Sequence, residues 1–71
     1  MEKYGVTEFF IKYFEDNKIE KRWISEKTGI PESKLERGYK KALTAEEFLY
    51  LCAFLSIRPE DVLTAIKMAN V

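Results

Sequence analysis

The chain has no histidine and a single cysteine, Cys52, among its 71 residues. Those two shortages exclude a disulfide and any ordinary zinc site. They also leave no Cys–His pair to activate a nucleophile, and no acid pair stands out. An enzyme is therefore not expected, and Cys52 reads as buried packing. Long apolar runs are missing too: none approaches the roughly 18 residues of a membrane span. The opening stretch, MEKYGVTEFF, carries acids where a secretory signal would carry bases. A free thiol without a framework of cysteine pairs fits a reducing cytosol. The expectations are a cytoplasmic protein with no membrane partner, no metal, no cofactor and no small-molecule ligand.

Internal repeats, low-complexity tracts and linkers are absent, so residues 1–71 read as one domain. A chain of this size buries only about 60% of its unfolded surface. Stability must come from packing, with dimerisation as the available reinforcement. The material is there, since 46% of residues are hydrophobic and 14% aromatic, too many for a disordered chain.

Net charge is zero, yet it is unevenly spread. Residues 1–17 hold two bases and four acids, residues 18–41 eight bases and four acids, and residues 42–71 two bases and four acids, giving −2, +4 and −2. A basic middle between acidic ends is a signal about a surface partner rather than about the fold.

The apolar spacing predicts five helices and no sustained strand. The first runs from about Thr7, a candidate cap, to Asn17, with Val6, Phe10, Tyr13 and Phe14 on one face. The second is KRWISEKT, residues 21–28, stopped by Gly29 and facing inward through Ile24 and Thr28. The third opens on Pro31 and runs through ESKLERGY to about residue 40, with Leu35 and Tyr39 as its apolar face and Gly38 allowing a close helix approach. The fourth opens on a capping box formed by Thr44 and Glu47 and presents Phe48, Leu51, Cys52 and Leu55. The fifth starts at Pro59, followed by Glu60 and Asp61 near the positive end of its dipole, and buries Val62, Leu63 and Ile66. Helices this short favour an orthogonal globule over an up-down bundle. The fold class is a compact all-α domain.

Residues 21–40 have the layout of a helix-turn-helix, with the turn at Gly29-Ile30-Pro31 and a small core of Ile24, Ile30 and Leu35. On a wheel of about 100° per residue, Ser33, Arg37 and Lys40 lie opposite Leu35. Lys34 and Lys41 fall on one flank of that face, and Glu36 on the other. A helix that reads DNA needs such a face, with donors for base edges and bases beside them for phosphates. Arg37 can bind guanine bidentately, and Lys21, at the start of the second helix, suits a phosphate. A solvated face with Glu36 and Lys40 paired four residues apart accounts for the same pattern without DNA.

The order of these parts resembles the Cro/C1-type, lambda-repressor-like helix-turn-helix family. In ISEKTGIPESKLERG, Ile24 and Ser25 stand at the family's Leu-Ala, Gly29 at its turn glycine and Ile30 at its plug; LTAEEFLYLCAFLSIRPEDVL is similar to its following helices. The resemblance implies an orthogonal five-helix DNA-binding domain. It implies a phosphate clamp at Lys21, base-reading positions at Glu32, Ser33 and Arg37, and a backbone grip at Lys40 and Lys41. Two departures stand out: Pro31 replaces the usual Ser or Thr, and the loop after the third helix is short. The function expected is a sequence-specific transcriptional regulator, a repressor holding a near-palindromic operator in double-stranded DNA as a homodimer. The alternative is a helix-turn-helix that has lost DNA and binds a protein. Trp23 is expected to be half-buried. Phe9, Phe10, Phe14, Phe48 and Phe54 are too many for one small core, so one or two exposed rings, or Met68 and Val71 in the fifth helix, are candidates for a dimer surface.

Overall fold

A computed structural model describes residues 5–70. Among them it contains four α-helices and no strand: α1 (Val6–Asp16), α2 (Lys21–Thr28), α3 (Ala45–Leu55) and α4 (Pro59–Ala69). The all-α expectation holds, and the fifth helix does not. The segment expected to be helical from Pro31 to residue 40 forms one 3-10 turn, Glu32–Lys34, and then runs irregularly into α3.

The start and stop signals explain the four helices. The Glu8 carboxylate accepts from the Gly5 N–H at 2.9 Å, so Gly5, and not Thr7, caps α1. Thr7 is instead buried one position inside the helix. The start of α3 is the expected capping box, with Glu47 N–H donating to Thr44 Oγ1 at 3.1 Å and Thr44 N–H donating to Glu47 Oε1 at 2.9 Å. Helix α2 ends at Gly29, whose φ of 79° is the left-handed conformation that glycine adopts without steric cost. Pro59 takes the first helical position of α4.

The helices close over a core of Phe10, Phe14, Ile24, Ile30, Leu35, Leu51, Cys52 and Val62. Helix α4 packs on α1, while α2 meets the 3-10 turn on one side and α3 on the other. Phe10 and Phe14 sit with ring centroids 6.1 Å apart, and Phe48 meets Phe10 edge-on. Leu63, expected in the core, is 54% exposed, because Val62 already fills the one inward position on that turn of α4. Trp23 is half-exposed, as expected, and leans on Phe54. Met68 is exposed, and Val71 lies outside the described residues.

The missing helix has a local cause. Pro31 has ψ 137° and stands before the turn instead of within it. Gly38 has φ 83°, outside the helical region. Between these two residues lie six positions, fewer than two helical turns, too little to repay the cost of nucleation. The chain makes two short-range bonds instead, Lys34 N–H to Pro31 O and Leu35 N–H to Glu32 O, and drops Leu35 into the core. Gly38 therefore serves the turn and not a close helix approach, since a Cβ there would meet nothing within 4 Å.

This assignment fixes the sign of one substitution. In a helix, Gly38→Ala would stabilise the protein by about 1 kcal/mol. At a positive φ the same change is expected to destabilise it by about 1 kcal/mol or more, read as a lower midpoint in urea unfolding.

Candidate nucleic-acid interface

The helix-turn-helix geometry is built from α2, the Gly29 turn, the Ile30 plug and the segment from Pro31 to Lys41. Ile24, Ile30 and Leu35, expected to form the motif's own small core, are all buried in one cluster. Thr28 hooks the turn from both sides: its hydroxyl donates to Ile24 O at 2.7 Å and accepts from Ile30 N–H at 3.3 Å.

Ion pairs to other parts of the chain, and not a helical face, position four of the charged residues singled out by the sequence: Lys21, Lys34, Glu36 and Arg37. Lys21 Nζ lies 2.7 Å from Glu36 Oε2, which ties the start of α2 to the segment after the 3-10 turn. Glu36 thus takes Lys21 as its partner and not Lys40. Arg37 donates to Glu15 Oε1 on α1 at 2.9 Å. Lys34 reaches both carboxylate oxygens of Glu47, at 2.9 and 3.1 Å. Tyr39 donates its hydroxyl to Glu8. Ser33, Lys40 and Lys41 are exposed, and Glu32 is partly covered. An open cleft runs between α1, the start of α2 and this segment, with Phe14 and Leu35 at its floor and Glu15, Lys21, Glu36 and Arg37 around its rim.

These ties differ in kind. The side chains of Lys21 and Arg37 are 44% and 68% exposed, so their pairs sit in water and contribute about 0.2–1 kcal/mol each. Lys34 is 18% exposed and bound to a carboxylate that also closes the α3 capping box, which makes it a strut of the fold. Glu15, Glu8 and Glu47, the acids that hold the segment, were not visible as partners in the sequence. Glu47 was legible as a cap, but its second bond spans 13 residues and has no local signature.

The same contacts shift two carboxyls. For Glu47, the backbone N–H of Thr44 and then the Lys34 side chain favour the charged form and hold the pKa below 4.5. For Glu8, burial works to raise the pKa, but the Tyr39 hydroxyl, the N–H groups of Glu8 and Gly5, and the Arg37 charge together lower it. Burial raises the Cys52 thiol, with the Glu60 charge adding to it, so that group stays protonated and inert.

Four short helices with a corner packed through Ile24, Ile30 and Leu35, and with exposed bases along α2 and the segment after it, have the layout of small helical DNA-binding domains. A family model for the Cro/C1-type HTH DNA-binding domain matches residues 11–68, and the chain belongs to that family. Its members are DNA-binding regulators and not enzymes. Neither the curated proteins nor the solved structures include a match to the chain. No helix among the described residues is long and apolar enough to cross a membrane.

The lowered carboxyls set an acid limit. A folded pKa below the unfolded 4.5 gives stability that is complete above 4.5 and lost as pH falls through the folded value. Thermal midpoints are expected to fall as pH drops below about 4.5, and Glu47→Gln should flatten part of that fall.

Proposed function

We propose that the protein is a sequence-specific transcriptional repressor that binds a near-palindromic operator as a homodimer, with the segment Pro31–Lys41 facing the major groove. The observation that carries this reading is the family match across residues 11–68, with Lys21, Ser33, Arg37, Lys40 and Lys41 all exposed on α2 and on the segment that follows its turn. No side chain caps the N-terminus of α2, which leaves its first N–H groups, beside Lys21, open to a phosphate. Ser33, Arg37 and Glu32 are the base-reading candidates, and Lys21, Lys40 and Lys41 the phosphate contacts. Lys34, expected among the phosphate contacts, is assigned to holding the segment, because Glu47 takes both ends of its reach. Arg37 would leave Glu15 for guanine, exchanging a weak exposed pair for a bidentate contact worth about 1–3 kcal/mol of discrimination.

A second reading has an observation of its own. The segment forms only a 3-10 turn, and glutamates hold Lys34 and Arg37 within it and Lys21 on α2, three of the expected DNA contacts. That arrangement suits a helix-turn-helix that binds a protein and not DNA. Selection of bound duplexes from a random pool at about 0.15 M salt separates the two. Enrichment of a two-fold-symmetric site supports the repressor; an unenriched pool with folded protein supports the protein-binding module.

Three variants test the division of roles on an enriched site. Arg37→Ala is expected to relax sequence preference, and Lys21→Ala to weaken all sequences alike. Glu36→Gln frees Lys21 and is expected to strengthen binding to every duplex by up to about fivefold, the upper value of an exposed ion pair, in fluorescence anisotropy titrations.

A further inference from the structure

One face of α3 has no covering element. Taking Glu46 as 0° on a wheel of about 100° per residue, Ala53 falls near −20°, Tyr50 near 40°, Leu49 near −60° and Phe54 near 80°. All five are exposed, while the opposite side carries Leu51, Cys52, Phe48 and Leu55 into the core. Leu49 and Tyr50 each show more than half of their surface, at 53% and 52%. Trp23 widens the stripe from α2, with its ring centroid 5.5 Å from that of Phe54. Large apolar side chains gathered on one helix face mark an interaction surface.

Resting on the homodimer reading above, we propose that the occupant of this face is a second copy of the chain, paired antiparallel through α3 about a two-fold axis. The stripe is complementary to itself. In the register that sets Tyr50 against Ala53 of the second copy, a large ring meets a small methyl twice across the axis. On one flank of that seam Leu49 lies beside Leu49 of the second copy, and on the other flank Phe54, backed by Trp23, lies beside Phe54 of the second copy. At the ends, Glu46 in the first turn of α3 falls beside the stretch just past the C-terminus of α3 in the other copy, where Arg58 is exposed. The charges are of opposite sign in this antiparallel pairing, and a parallel one would set Glu46 against Glu46. Antiparallel helices also set the positive end of each dipole beside the negative end of its neighbour. An isologous interface requires this reciprocity, in which residue i meets j and j meets i.

Sedimentation equilibrium on the full chain, from micromolar to millimolar concentration, tests the assignment, with circular dichroism to confirm that each variant is folded. The wild type is expected to dimerise with a shift of Trp23 emission to the blue. Ala53→Glu should weaken association by more than about tenfold, since two like charges then meet near the axis. Glu46→Arg and Arg58→Glu should each weaken it by up to about fivefold, and the double reversal should restore it. A dimer indifferent to Ala53→Glu, or a double reversal no better than the single ones, places the interface elsewhere and overturns this surface while the homodimer stands. A wild type that stays monomeric overturns both and leaves the face to a different protein; DNA selection, read separately, then decides the regulator reading on its own.

Discussion

The fold depends on Leu35 reaching the core from a segment too short to be a helix. With no disulfide and no metal, a 71-residue chain must close its interior with side chains alone. Ile24 on α2 and Ile30 in the turn fill two sides of the helix-turn-helix corner, and Leu35 fills the third. Pro31 and Gly38 confine that third contribution to six residues of backbone. The result is a corner whose inside is as well packed as the rest of the core and whose outside is irregular. Ile30 and Leu35 are 3% and 2% exposed, so the irregular segment is pinned from within despite having little secondary structure.

Pinning from outside is electrostatic, and it explains the charge distribution along the chain. The acidic first third supplies Glu8 and Glu15, which hold Tyr39 and Arg37; the acidic last third supplies Glu47, which holds Lys34. Acids from both ends therefore fold back onto the basic middle and offset part of its excess charge. None of the described residues buries a side-chain N or O atom without a hydrogen-bond partner, so these ties satisfy the segment as well as neutralise it.

Much of this was legible in the sequence, because much of it is local. The α3 capping box, the Gly29 stop, Pro59 at the head of α4 and the core trio of the motif follow from spacing within a few residues. The third helix was misread for a related reason. Leu35 and Tyr39 four apart satisfy a helical pattern, but a pattern states only which face would be apolar if a helix formed. It carries no information about whether the stretch between Pro31 and Gly38 is long enough to nucleate one. Leu63 shows the converse: Val62 and Ile66, four apart, share the face of α4 that meets the core, and Leu63 lies about 100° away from Val62 and stays exposed. The ion pairs to Glu15 and Glu47 span 22 and 13 residues and had no sequence signal at all.

The paired bases bear on how such a domain would discriminate among sites. Each exposed pair that must open on DNA costs about 0.2–1 kcal/mol, so releasing both Lys21 and Arg37 costs no more than about 2 kcal/mol. That is small against the roughly 4–10 kcal/mol separating specific from non-specific complexes of DNA-binding proteins. It is large against a non-specific affinity that rests on few phosphate contacts and weakens steeply with salt. A complex that offers Arg37 no guanine opens only the Lys21 pair and forgoes the Arg37 contact. In the proposed complex, Glu15 and Glu36 would therefore act as competitors that phosphate and guanine must displace together. A site offering only phosphates would displace Glu36 and leave Arg37 on α1. This gives the neutral surface a physical role: it suppresses indiscriminate attachment while costing the correct site little.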